Sequence, residues 1–117
     1  MAHIDDTETR RANPDFVRTA MRTPLLSREH RLDLARRWRE NADGSALQEL
    51  VRAYTRLAVS VAGTYRPYGL PIGDLIEEGN IGLLEAAMRF EPERNLRFST
   101  YAIWWIRSAL QDYILRN

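Results

Sequence analysis

"SALQELVRAYTRLAVSVAGTY", residues 45–65, is the stretch on which the fold turns. Its apolar residues are Leu47, Leu50, Val51, Tyr54, Leu57, Ala58, Val61 and Ala62, which line one face of a helix with a 3.6-residue period. Ser45 and Gln48 form an S-x-x-Q capping box at its start, and Pro67-Tyr68-Gly69 ends it. Upstream, Asn41-Ala42-Asp43-Gly44 is a break. Ser27 caps a helix predicted over residues 28–40, with Leu32, Leu34, Ala35 and Trp38 facing inward. Pro14 opens a short helix over residues 15–21, which Thr23-Pro24 stops. Residues 1–13 are polar and aperiodic and read as a flexible tail.

Downstream, Pro71 starts a helix that runs to about Phe90, with Leu75, Ile76, Leu83, Leu84 and Ala87 inward. Gly79 and Gly82 inside it cost roughly 1 kcal/mol each relative to Ala, a cost that close packing of a neighbouring helix accounts for. Residues 91–95 form a turn, and Ser99 reads as the N-cap of a last helix that runs to the chain end. The fold class is therefore all-α, a compact bundle of about four to five helices over residues 14–117. Ile114-Leu115-Arg116-Asn117 closes the chain with no glycine, proline or polar run, so the last helix reads as truncated.

Composition narrows the function. The chain has 117 residues, 44% of them hydrophobic, which suits one modest domain with a core. No stretch reaches the roughly 20 apolar residues of a membrane span, and the N-terminus lacks the apolar segment of a signal peptide, so a cytoplasmic protein is expected. There is no cysteine and hence no disulfide or thiolate metal site. Every basic residue is arginine. A GC-rich coding bias accounts for that, and so does phosphate recognition by a planar fork. Residues 1–69 carry 12 Arg against 9 Asp or Glu, and residues 70–117 carry 5 against 7, so the acidic surplus lies in the second half.

Signals of catalysis are absent. His3 falls in the tail and His30 on a charged helix face, and no metalloprotease, phosphate-loop or nucleophile-elbow motif occurs. No catalytic residue, metal ligand, cofactor or small-molecule substrate is expected. Two surfaces stand out instead. Asp74, Glu77, Glu78 and Glu85 lie at spacings of three, four and eleven, one face of the helix from Pro71. It reads as a solubilising face or as a docking surface for a basic partner. The second surface lies in "RFSTYAIWWIRSALQDY", residues 97–113. Adjacent helical residues point about 100° apart, so Trp104 and Trp105 cannot both be core. Phe98 and Trp105 are assigned inward, leaving Tyr101 and Trp104 at an edge beside Arg94, Arg97 and Arg107. Aromatics beside arginines suit a single-strand platform, on which bases stack at roughly 1–3 kcal/mol each. A protein-binding hot spot uses the same residue types.

A family likeness bears on that choice. "YGLPIGDLIEEGNIGLLEAAMRFEP", residues 68–92, followed by "FSTYAIWWIRSALQDYILRN", residues 98–117, closely resembles region 2 of bacterial RNA polymerase sigma factors. "PLLSREHRLDLARRW" and "LVRAYTRLAVSVAGTY" resemble the preceding regions 1.2 and 2.1, so the likeness covers residues 14–117. "PLLS" and "QDYILRN" make it most similar to the heat-shock subclass. Regions 3 and 4 of the family have no counterpart here.

The resemblance implies two partners, core RNA polymerase and promoter DNA, and neither a membrane nor a cofactor. Asp74, Glu77, Glu78 and Asn80, with Leu84 as an apolar contact, match the residues that bind the coiled coil of the polymerase clamp. Housekeeping members carry Gln at Glu77 and a basic residue at Glu85, so this face is more acidic than theirs. Phe90, Glu91, Arg94 and Tyr101 match the pocket for the flipped adenine of the non-template −10 strand. Trp104 and Trp105 match the upstream edge of the bubble. Arg97, Phe98, Ser99 and Thr100 match the strand-contacting start of the same helix, where Arg107 also lies. Ser108 and Gln111 stand where housekeeping members carry the Gln and Thr that read the duplex edge, and Tyr54 stands where they carry Asn. The implied function is transcription initiation by capture of a melted −10 strand. The competing reading is a helical module that docks on the clamp without DNA activity.

Overall fold

A computed structural model of the chain describes residues 26–117. The tail expected over residues 1–13 and the short helix expected over residues 15–21 lie outside the described residues. The first helix, α1, spans Arg28–Asn41. Ser27 caps it as expected, its Oγ accepting from the His30 N–H at 3.1 Å. It ends on Ala42, held in the left-handed region at φ 52°. There the Ala42 N–H reaches the Trp38 carbonyl at 2.9 Å and the Asp43 N–H reaches Arg37 at 3.2 Å, which satisfies the last carbonyls of α1.

The helix expected over residues 45–65 forms as two, α2 over Gly44–Ala53 and α3 over Thr55–Gly63. Asp43, not Ser45, caps α2: its Oδ1 accepts from the Ser45 N–H at 3.1 Å and the Ala46 N–H at 3.2 Å. Its other oxygen takes Arg37 Nη2 at 2.9 Å. An ionised cap with a cationic partner outcompetes the neutral hydroxyl of a capping box. The break falls at Tyr54. The Thr55 hydroxyl donates to the Val51 carbonyl at 3.2 Å, and the Tyr54 N–H bonds that carbonyl too, at 3.0 Å, so the α-helical ladder slips by one residue. The Tyr54 ring meanwhile packs edge-on to Phe98 at 4.8 Å.

A short 3₁₀ turn, Arg66–Tyr68, and Gly69 at φ 82° lead into α4, Ile72–Arg89. A turn then reverses the chain into α5, Phe98–Arg116. Arg97 occupies the N-cap position of α5, so Ser99, expected there, lies in the first turn and is buried. Helices α4 and α5 run antiparallel in close contact. A Cβ on Gly82 would lie 2.6 Å from the Trp105 carbonyl oxygen, the close approach expected of this glycine. Leu34, Leu50, Leu57, Val61, Leu75, Leu83, Ile106 and Leu110 form the centre of the core. Leu32, Trp38 and Ile76 pack against it half-buried. Leu84, expected inward, faces out at 40% exposure. The fold is all-α, a bundle of five helices among the described residues.

Candidate nucleic-acid interface

The sequence places five rings near the α4–α5 reversal, and packing joins them, with Tyr54 from the α2–α3 break, in one ladder. Tyr54 meets Phe98 at 4.8 Å, Phe98 meets Phe90 at 5.2 Å, and Phe90 meets Tyr101 at 5.7 Å. Tyr101 meets Trp105 at 6.3 Å, and Trp105 meets Trp104 at 5.4 Å with planes 86° apart. These are the edge-to-face and tilted geometries that aromatic quadrupoles favour. Burial falls along the ladder: Phe98 is 2% exposed and Trp104 is 64% exposed. Tyr101 and Trp105 lie between, half-buried against the core. The division read from the sequence therefore holds for Phe98, Tyr101 and Trp104, while Trp105 is only partly inside.

Arginines surround the ladder. Arg94 Nε pairs with Glu91 Oε1 at 2.7 Å, which brings these two predicted site residues together. Arg94 and Arg97 face Arg28 and Arg31 of α1 across a depression of about 370 Å³ floored by Phe90 and Phe98, with no carboxylate in its lining among the described residues. Arg28 and Arg31 were not singled out from the sequence, although their i, i+3 spacing was the available signal. Burial raises the Tyr54 hydroxyl pKa above its ordinary value, against the opposing pull of Arg31 and Arg97.

Along the outer face of α5, Thr100, Trp104, Arg107, Ser108 and Gln111 line an open groove with Ile103. The Gln111 amide donates to the Tyr65 hydroxyl at 3.2 Å, and Tyr65 stacks on Tyr68 at 5.9 Å. Tyr65 and Tyr68 are neighbours of the predicted site that sequence spacing did not join to it. Ser99 is set apart from this groove by its burial.

The acidic stripe of α4 divides. Asp74 accepts from the Tyr113 hydroxyl at 3.3 Å, and Glu78 lies 3.8 Å from Arg116. Glu77 is exposed. Asn80 has a buried Oδ1 with no hydrogen-bond partner. Ile81 and Leu84 add exposed apolar surface one and two turns along. Glu85 is drawn instead to Arg89 at 2.8 Å, and the Arg89 guanidinium lies over the Trp105 ring at 5.1 Å. The fourth carboxylate thus joins the aromatic ladder rather than the acidic face.

A ladder of rings ending in an exposed indole, arginines on its flanks and an acidic–apolar face on the neighbouring helix are thus set on one all-α bundle. Residues 50–117 match the family model described as Sigma-70 region 2, more than half of the chain, and the chain belongs to that family. It is 49% identical over 94 residues to the RNA polymerase sigma factor RpoH of Caulobacter vibrioides, covering 80% of this chain and 32% of that protein. It is 48% identical over 94 residues to RpoH of Zymomonas mobilis, covering 80% and 31%. It is 44% identical over 112 residues to the sigma factor RpoS of Coxiella burnetii, covering 94% and 32%. The RpoH matches agree with the heat-shock subclass read from "PLLS" and "QDYILRN". The chain spans about a third of the length of these relatives. Among the described residues no helix is long and apolar enough to cross a membrane.

Proposed function

We propose that this chain supplies polymerase docking and −10 strand capture for an alternative, heat-shock-type sigma factor acting in transcription initiation in the cytoplasm. The observation that carries the reading is the ladder from buried Phe98 to exposed Trp104 with arginines on its flanks. Extruding a base costs a few kcal/mol of lost stacking and pairing. A ring held in place by other rings replaces the lost neighbour, and guanidinium groups take the phosphates. Phe90, Glu91, Arg94 and Tyr101 hold the extruded adenine, and Arg97 and Thr100 meet the strand beside it, with Phe98 and Ser99 buried behind them. Trp104 and Trp105 close the upstream edge, while Arg107, Ser108 and Gln111 face the adjoining duplex. Asp74, Glu77, Glu78, Asn80 and Leu84 dock on the clamp coiled coil of core polymerase. Opening is selective capture, with no bond made or broken.

The test is binding of core polymerase plus this chain to a single-stranded −10-like oligonucleotide, beside a scrambled one, for wild type and Tyr101→Ala. Preference for the −10-like strand that Tyr101→Ala abolishes is the expected result. Polymerase binding with no preference between the strands would move the protein to the docking-only reading, which the exposed Ile81 and Leu84 beside the acidic face also suit.

A further inference from the structure

Trp105 presents an unusual case of ring placement. Its indole N–H is buried and has no hydrogen-bond partner, so no hydrogen bond sets the plane of the ring. Only face and edge contacts remain. Tyr101 and Trp104 supply the edges, and the Arg89 guanidinium supplies the face at 5.1 Å. An arginine whose side chain is 59% exposed has many rotamers, but Arg89 is held twice. Its Nε donates to Glu85 Oε2 at 2.8 Å, with the glutamate four residues N-terminal, the favoured order on a helix. The backbone at the same place is pinned from α1: the Trp38 indole donates to the Met88 carbonyl at 3.1 Å, and Arg39 donates to the Arg89 carbonyl at 3.4 Å.

We infer that Glu85 and Arg89 are positioning residues: the carboxylate orients the guanidinium, the guanidinium sets the Trp105 ring, and Trp105 sets exposed Trp104 for stacking. The inference rests on the strand-capture reading and adds to it a column of four side chains, Glu85–Arg89–Trp105–Trp104. It also accounts for an acidic residue at position 85. A carboxylate beside a polyanion repels it, and a bare Arg89 would serve as one more phosphate contact. Paired with Glu85, Arg89 presents little net charge to a strand and supports a ring instead.

The two roles for Arg89 predict opposite signs for Glu85→Gln and different salt slopes for Arg89→Met. The experiment measures binding of core polymerase plus the whole chain to the −10-like and scrambled single strands across a range of salt. Glu85→Gln, Arg89→Met and Arg89→Lys are compared with wild type, and the exciton couplet of the paired indoles is followed by circular dichroism in the free chain. In the positioning role, Glu85→Gln and Arg89→Met each lower affinity for the −10-like strand by about three- to tenfold, the span of a partly shielded cation–π contact. The salt slope stays at its wild-type value, the couplet shrinks, and Arg89→Lys restores most of both. Tighter binding of both strands by Glu85→Gln overturns the inference. So does a fall of about 0.7 in the salt slope for Arg89→Met, the signature of one lost phosphate contact, and so does no change at all. A wild-type chain that prefers neither strand sinks the strand-capture reading by itself. The couplet then decides the column alone: its loss in Glu85→Gln upholds the positioning, and its persistence overturns it.

Discussion

At Gly82 the spacing of two helices is set by the absence of one carbon. A Cβ there would meet the Trp105 carbonyl oxygen at 2.6 Å and the Ile106 Cα at 2.8 Å, both backbone atoms that cannot swing aside. Gly82→Ala therefore must push α5 away from α4, and with it the Trp105 backbone. Overpacking of this kind costs about 1–3 kcal/mol, partly offset by roughly 1 kcal/mol of helix propensity. A lowered unfolding temperature by circular dichroism is expected, with weaker stacking by the displaced indoles. Gly79 makes the control. Its nearest atom would be the Ala58 carbonyl oxygen at 3.3 Å, tight but above the clash distance. Gly79→Ala should change stability less than Gly82→Ala, and the reverse order would place the tight crossing elsewhere. The presence of both glycines in one amphipathic stretch was enough to foresee a close crossing. Which of them touches backbone follows only from how α5 lies across α4.

Helix starts show how charge decides a boundary that pattern leaves open. Asp43 caps α2 and draws Ser45, Ala46 and Arg37 to its carboxylate. The Ser45 hydroxyl, the Ala46 N–H and then Arg37 hold its pKa at about 2, down from an ordinary 3.8. A carboxyl whose folded pKa is depressed stabilises the fold at pH values above its unfolded pKa. That stability is lost as pH falls from about 3.8 through about 2. Wild type should therefore lose stability on acidification through this window more steeply than Asp43→Asn, which has no proton to take up. Parallel curves would mean that the cap is not ionised in the fold. Within the same stretch, the 3.6-residue period placed Leu47, Leu50, Leu57, Ala58, Val61 and Ala62 in the core correctly. It could not reveal the break at Tyr54, because periodicity carries no record of a threonine hydroxyl on the Val51 carbonyl or of a ring seated on Phe98. Ser99 likewise has the composition of a cap, but helix packing buries it in the first turn, two residues past the cap position.

Across the whole molecule the two proposed interfaces occupy different lengths of α4 and α5, and the local patterns of the sequence already separated them. Asp74, Glu77 and Glu78 were legible as an acidic face and Trp104 as a ring off the core. What stayed hidden was tertiary: Glu85 turning toward Arg89, Tyr65 meeting Gln111, and Arg28 and Arg31 closing on Arg94 and Arg97. The separation makes a testable claim about independence. Glu78 lies seven residues from Glu85 on one helix, about 10 Å along its axis, and effects at sites this far apart with no shared partner add to within about 0.5 kcal/mol. Trp104→Ala removes a ring that is 64% exposed, so it should leave the fold and polymerase binding intact. It should also cost about 1–3 kcal/mol of strand binding. Glu78→Arg reverses one charge on the docking face and places a second cation beside Arg116, now 3.8 Å away. It should weaken polymerase binding and make it less sensitive to salt. Once saturating polymerase restores the complex, strand preference in Glu78→Arg should match wild type. The double variant then shows the sum of the two losses. A double loss smaller than the sum would mean that the two faces are coupled through the antiparallel contact of α4 with α5, which includes the Gly82 crossing and the Glu78–Arg116 and Asp74–Tyr113 contacts.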